Sequence, residues 1–162
     1  MAATRIFADQ QPDERGEMTG GTTRTGLELL HGRVTREIIG AFFDVYNELG
    51  YGFFEAVYQR ALPLALEARG IGCEREVPLT VRFRGAVVGE YRADLVVEKI
   101  VIVESKVAEK ILPAHEMQLL NYLKATGITV GLVLNFGPRA AFRRLLLSSP
   151  QEGSAVIRSS SA

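Results

Sequence analysis

A mixed α/β domain, with a central mixed four-stranded sheet flanked by helices, is what this 162-residue sequence predicts. Three observations carry the prediction. Between about residues 28 and 147 the apolar period switches from helical to alternating and back, so helices and strands belong to one folded unit. Three strand-like runs follow one another at hairpin spacing, and a helical run separates them from a fourth, which requires a crossover and a parallel pair. Hydrophobic residues make up 47% of the chain and charged residues 23%, an ordinary globular balance that excludes a disordered or fibrous chain. A domain of this size buries roughly two thirds of its unfolded surface, enough for a core without disulfide or metal staples.

The elements follow in order. Residues 1–27 carry Gln10-Gln11-Pro12-Asp13-Glu14 and Gly20-Gly21-Thr22-Thr23, too little apolar surface to order themselves, and are predicted to be a flexible tail. The Ser-rich stretch 148–162 is predicted to be a second tail, which leaves 28–147 as the domain. Val34, Ile38, Phe42, Val45 and Leu49 recur at helical spacing, with Gly50 closing the run. A second helix spans about Phe54 to Arg69, with Phe54, Val57, Tyr58, Ala61, Leu62, Ala65 and Leu66 on its apolar side and Pro63 as an expected kink. Leu79, Val81 and Phe83 alternate with polar residues as a half-buried strand, and Gly85 turns the chain into a second near Val87–Leu95, running on to Val97. Ile100–Lys106 is a third, mostly apolar strand. Pro113 opens a helix to about Ala125, closed by Gly127. Thr129–Asn135 is a fourth strand and Arg139–Leu147 a last short helix.

Several function classes drop out early. The lone Cys73 cannot form an intramolecular disulfide or hold a four-cysteine cluster, and points to a reducing compartment. With only His31 and His115, no His-rich zinc site can form, and Leu119 stands where a zincin helix needs its second His. Gly50-x-Gly52 follows a helix and lacks a third glycine, so it reads as punctuation and not as a dinucleotide fingerprint. No apolar run approaches the roughly 18 residues of a membrane span, and the polar N-terminus shows no secretory signal. A cytoplasmic protein without membrane association is the expectation.

Chemistry concentrates in Tyr91-Arg92-Ala93-Asp94-Leu95-Val96-Val97 and Ile102-Val103-Glu104-Ser105-Lys106-Val107. Alternation puts Glu104 and Lys106 on one side of their strand. Asp is disfavoured in strands, yet Asp94 sits within an apolar β pattern. A hairpin turning near Glu98-Lys99 brings Asp94 close to Glu104 at one end of adjacent strands. Two carboxylates beside an ammonium suit a hard divalent cation, with Lys106 placed to orient a water or stabilise charge on a phosphate. Taken alone, such a trio is more often a solvated strand end or a weak salt bridge.

The order of further pieces raises the odds. The chain carries Asn47-Glu48-Leu49-Gly50, then Gly52-Phe53-Phe54-Glu55-Ala56-Val57-Tyr58, then Arg92-Ala93-Asp94 and Glu104-Ser105-Lys106. After these come His115-Glu116-Met117-Gln118-Leu119-Leu120-Asn121-Tyr122-Leu123 and Gly131-Leu132-Val133-Leu134-Asn135-Phe136. From about residue 34 to 147 this arrangement resembles the GxxExxY protein family, a branch of the PD-(D/E)XK nuclease-like superfamily. The resemblance implies a restriction-endonuclease-like αβββαβ core and a metal-dependent nuclease. It matches Asp94 and Glu104 to the acidic pair that binds Mg2+ or Mn2+, and Lys106 to the catalytic lysine. Glu55 matches a first-helix acid that helps hold the metal or its water. Gln118 and Tyr122 match the QxxxY signature of RecB-like members, where Gln118 contacts the site or the nucleic-acid backbone. The usual Pro before the first Asp is Ala93 here.

The resemblance implies nucleic acid as the partner, DNA ahead of RNA, and a homodimer is common among nucleases that cut both strands. A non-catalytic nucleic-acid-binding or assembly module that retains the fold is the alternative. Plainer readings accompany several residues: Glu55 as a helix-dipole acid, Tyr58 as core on the Phe54 face, and His115 with Gln118 and Tyr122 as one polar helix face. Arg82 and Arg84 on a strand face, Arg139, Arg143 and Arg144 on the last helix, and Lys110 and Lys124 are candidates for a phosphate track. The net charge of zero argues against a generic nucleic-acid coat, an objection weakened because residues 31–147 hold 15 basic against 13 acidic side chains, and 15 against 10 once the three candidate ligands are set aside.

Overall fold

The computed structural model describes residues 30–148; both segments expected to be flexible tails, Ser148 apart, lie outside the described residues. Two helices come first, α1 (Gly32–Leu49) and α2 (Glu55–Ala68). The strands β1 (Cys73–Phe83), β2 (Ala86–Val97) and β3 (Val101–Lys106) follow, then α3 (Pro113–Thr126), β4 (Val130–Asn135) and β5 (Ala141–Leu146). They form one sheet in the order β1-β2-β3-β4-β5. All neighbours are antiparallel except β3 and β4, which α3 joins as a parallel pair. The expected mixed α/β architecture is therefore present.

Turn chemistry sets the two hairpins. Arg84 and Gly85 have φ of 49° and 81°, and Glu98 and Lys99 have φ of 48° and 60°. Left-handed residues in both central positions are the type I′ pattern whose twist matches paired strands. The second hairpin turns at Glu98-Lys99, as the sequence predicts, and so fixes the register that sets Asp94 against Glu104.

Most of β1 and the first half of β2 are exposed, whereas the central strands are buried on both faces. On one, Ile38, Phe42, Tyr58, Leu62 and Leu66 of α1 and α2 cover Leu95, Val103, Leu132 and Leu134. On the other, Leu119, Leu120 and Leu123 of α3 cover Val96, Ile102, Val133 and Leu145. β3 and β4 are thus shielded on both sides, which is why they read as nearly continuous apolar runs. Among the described residues no helix is long and apolar enough to cross a membrane.

Two local expectations need correction. Residues 139–147 do not form a helix; Ala141 to Leu146 pair with β4, from Asn135↔Ala141 to Val130↔Leu146, and add a fifth strand to the expected four. Without β5, the fully buried β4 would present a row of unpaired backbone groups. The strand also buries Leu145 and Leu146 on opposite faces of the sheet, which the single apolar stripe of a short helix cannot do. Arg143 and Arg144 consequently point to opposite faces and not along one helix. In α2, Phe54 does not share a core face with Tyr58: it precedes the helix and is 89% exposed, whereas Tyr58 is fully buried. Pro63 lies inside α2 without ending it.

Candidate active site

Asp94 sits where β2 loses its regular partners on both sides. The β1–β2 ladder pairs Arg75 with Leu95 and Val77 with Ala93 but skips the rung between Glu76 and Asp94, and Glu76 adopts a left-handed φ of 50°. On the other side the β2–β3 ladder ends at Leu95↔Val103, one rung short of Asp94 and Glu104. The strand twists here: Ala93 packs with the α3 layer and Leu95, only two residues on, packs with the α1–α2 layer. Side chains replace the missing rungs. The Asp94 N–H donates to Glu104 Oε1 at 3.1 Å, and the Ser105 N–H donates to Asp94 Oδ2 at 2.8 Å. Each carboxylate is thereby tied to the opposite strand and keeps a second oxygen for another partner. Lys106 ends β3 in register with Asn135 of β4, and its carbonyl accepts the Phe136 N–H at 2.7 Å.

Glu55 reaches this end of the sheet from α2. The spacing of Gly52, Glu55 and Tyr58 has a physical reason. Gly52 takes φ of 114°, which favours glycine. Glu55 begins the helix, and Tyr58, one turn later, donates its hydroxyl to the Gly50 carbonyl at 2.6 Å. The Tyr58 ring stacks on Phe136 at 4.6 Å, just beyond β4. Tyr58 is core, as its spacing suggests, and it also anchors the loop that delivers Glu55. The Glu55 carboxylate accepts the Val107 N–H and lies within the fields of Lys106, Asp94 and His115.

α3 contributes from the other face. Gln118 donates to the Tyr122 hydroxyl at 3.0 Å, and the Tyr122 ring packs against Tyr91 of β2 with centroids 5.6 Å apart. Tyr91, which the sequence offers only as the first residue of the Asp94 stretch and without a role, lines a cleft with Met117, Gln118, Asn121 and Tyr122. His115 has a structural job, since its Nδ1 accepts the Leu112 N–H at 3.1 Å and closes the start of α3.

Burial and crowding shape the electrostatics. Glu104 is 2% exposed, and burial pushes its carboxyl up to about 8, with the Asp94 charge adding to the rise. The Asp94 N–H and Lys106 act in the opposite direction without cancelling it. Burial and then Asp94 also raise Glu55, against Lys106, the Val107 N–H and His115. Tyr122 is raised first by burial and then by the Glu104 charge, which places the Gln118–Tyr122 pair within reach of the acids.

The donor chemistry fits a hard divalent cation. Three carboxylates act on one another here, with no thiolate among them. Burial and then the Asp94 charge raise Glu104 to about 8, so a divalent cation beside these carboxylates would favour their ionised forms. Among the described residues, no group of three acidic, His or Cys side chains is already drawn into a compact ligand shell. Asp94 and Glu104, each with one carboxylate oxygen not used by the backbone, are the residues that would hold such an ion, with Glu55 beside them.

The basic residues do not form one track. Arg84 belongs to the β1–β2 turn, its guanidinium 4.9 Å over the Phe83 ring, and Arg82 bonds the Gly85 carbonyl at 3.1 Å. Lys124 lies in the last turn of α3. Arg144 bonds the Leu30 carbonyl at 2.7 Å. Arg143 faces Glu116 of α3 at 3.7 Å and, with Lys110 and Arg139, lines a separate concavity. Cys73 is half-buried and its thiol is pushed up by burial, which makes it a poor nucleophile.

Against known proteins, the family model described as PD-(D/E)XK nuclease superfamily matches residues 32–145. No curated protein matches the chain. Among solved structures, the crystal structure of SSO0001 aligns with 23% sequence identity and a TM-score of 0.48, over 75% of this chain and 61% of that one. The chain thus spans about three fifths of the length of that solved relative.

Proposed function

The chain belongs to the PD-(D/E)XK nuclease superfamily, and on that premise we propose that it is a Mg2+- or Mn2+-dependent nuclease that hydrolyses phosphodiester bonds in nucleic acid, DNA ahead of RNA. The observation that carries this reading is the interrupted β2–β3 ladder, where Asp94 and Glu104 bind one another's strands and Lys106 follows two residues later. A structural ion pair needs no such gap; a site that must present carboxylate oxygens outward does.

In this reading Asp94, Glu104 and Glu55 hold the ion, which when bound lowers the pKa of a water and offsets charge on the phosphate. The Lys106 ammonium orients the attacking water and stabilises the negative charge that develops on the phosphoryl oxygens. Backbone N–H groups of Asp94, Ser105 and Val107 fix the carboxylates before substrate arrives, so little reorganisation remains for the reaction itself. Gln118 holds Tyr122 and faces the nucleic-acid backbone. The Gly52–Glu55–Tyr58 spacing supports placement in the GxxExxY branch, because it is the device that delivers Glu55 to the acids.

The test is a cleavage screen of purified protein on plasmid, single-stranded and branched DNA, and RNA, with Mg2+ or Mn2+. Cleavage that requires the metal and disappears in Asp94→Ala and Lys106→Ala is expected. No cleavage of any substrate, or cleavage indifferent to both substitutions, would overturn the proposal and favour a binding module that keeps the fold.

A further inference from the structure

Two loops leave the catalytic edge of the sheet side by side, 107–112 after β3 and 136–140 after β4. Between them lies a concavity of about 490 Å³ lined by Lys110, Arg139 and Arg143, with Ile111 and Pro138 as apolar walls and Glu109 at its side. We propose that this concavity binds one backbone phosphate of the nucleic-acid strand, flanking the bond cut at the end of β3. The inference rests on the nuclease reading for its ligand and extends it to a subsite.

The cradle is built rigidly, and by residues the site at Asp94 and Glu104 does not use. Asn135 is fully buried, yet its side chain accepts the Ala108 N–H at 2.9 Å and donates to the Ala108 carbonyl at 2.8 Å. That paired bond staples the 107–112 loop to the end of β4, from which the 136–140 loop departs, and so holds the two loops at a fixed separation. At Gly137 the two backbones meet so closely that a Cβ would lie 1.8 Å from the Ala108 carbonyl oxygen. The Tyr46 hydroxyl of α1 reaches the Gly137 carbonyl at 2.8 Å. Ordering costs are therefore met on folding and not on binding.

Charge matches the same ligand. Lys110 and Arg139 form no ion pair among the described residues, whereas Arg143 shares its charge with Glu116 at 3.7 Å. Three cations against Glu109 and Glu116 leave one net positive charge, the complement of a single phosphodiester. The position follows from register: Lys106 and Asn135 are paired, so the loops begin immediately beside the catalytic lysine. Arg82, Arg84 and Lys124 stand elsewhere and make controls.

Fluorescence anisotropy with labelled single-stranded and duplex oligonucleotides, in EDTA so that nothing is cut, reads the subsite directly. For Lys110→Ala with Arg139→Ala the affinity is expected to fall about 10- to 100-fold and the salt slope to shrink by about one to two. Arg82→Ala is expected to leave both unchanged, and Arg139→Lys to recover part of the loss. Unchanged affinity and slope in the double variant would overturn the subsite, as would inorganic phosphate competing as strongly as oligonucleotide of equal phosphate concentration. The expected losses in the double variant, together with a wild-type protein that never cleaves, would sink the nuclease reading while leaving the subsite in place.

Discussion

β3 is treated differently by its two neighbours. With β4 it pairs along its whole length, from Val101↔Val130 to Lys106↔Asn135. With β2 it pairs only from Val97↔Val101 to Leu95↔Val103, and the missing rungs are taken over by the carboxylates of Asp94 and Glu104. The β4 side spends its residues on the core, with Val103, Leu132 and Leu134 fully buried. The β2 side instead holds a buried acid against its preference, its carboxyl raised to about 8. One strand thus has a side given to the core and a side that carries a buried acid, a division expected where a rigid element must present reactive groups.

Substitutions separate the two sides, and the largest effect falls on the one that carries the acids. Asp94→Asn and Lys106→Ala should lower cleavage by about 10²- to 10⁴-fold while leaving the melting temperature near that of the wild type. Initial rates and thermal denaturation on the same preparations check this; a large loss of stability in both variants would erase the distinction. On the core side, Leu132→Ala should cost about 2–5 kcal/mol in denaturant unfolding while the activity per folded molecule is retained.

A pH-dependent effect sharpens the contrast. Because the fold raises Glu104 above its ordinary value of 4.5, it favours the neutral acid. That contribution is complete below about pH 4.5 and is lost as the pH climbs towards about 8, so without divalent ion stability falls across this window, by at most about 1.4 kcal/mol per pH unit. Urea unfolding at several pH values should show the slope, and Glu104→Gln should remove most of it, leaving a lesser contribution of the same sign from Glu55. The smallest effect belongs to Tyr122→Phe, which removes the Gln118 bond and should cost about 0.5–1.5 kcal/mol. A cost beyond that range would mean that Tyr122 supports more than its neighbour on α3.

Much of this division was legible in the sequence. Asp94 stands out in an apolar strand, Glu98-Lys99 marks the turn, and Val101 to Val103 announce a strand covered on both faces. Glu55, Gln118 and Lys106 were nameable through their motifs, and the structure brings them to one end of the sheet. β5 was not legible, because Arg143, Arg144 and the leucines after them fit a helix as well as a strand over so few residues. What decides it is the open edge of β4, a partner that local sequence does not reveal. Phe54 misled for a related reason: its spacing suits the helical face, but the helix starts one residue later. Tyr91 and the Asn135 staple depend on contacts with residues 31 and 27 positions away. Periodicity carries no record of those contacts.

In the proposed function the Asp94–Glu104 end of β3 binds a divalent ion, and its acids give up a proton to do so. Isothermal titration of Mn2+ at pH 7, in two buffers of different ionisation enthalpy, reads both the binding and the proton release. Saturable binding with release of about one proton per ion is expected, since Glu104 holds its proton until about pH 8, and both signals should vanish in Asp94→Asn. Binding of equal strength in Asp94→Asn, or no binding by the wild-type protein, would contradict the account.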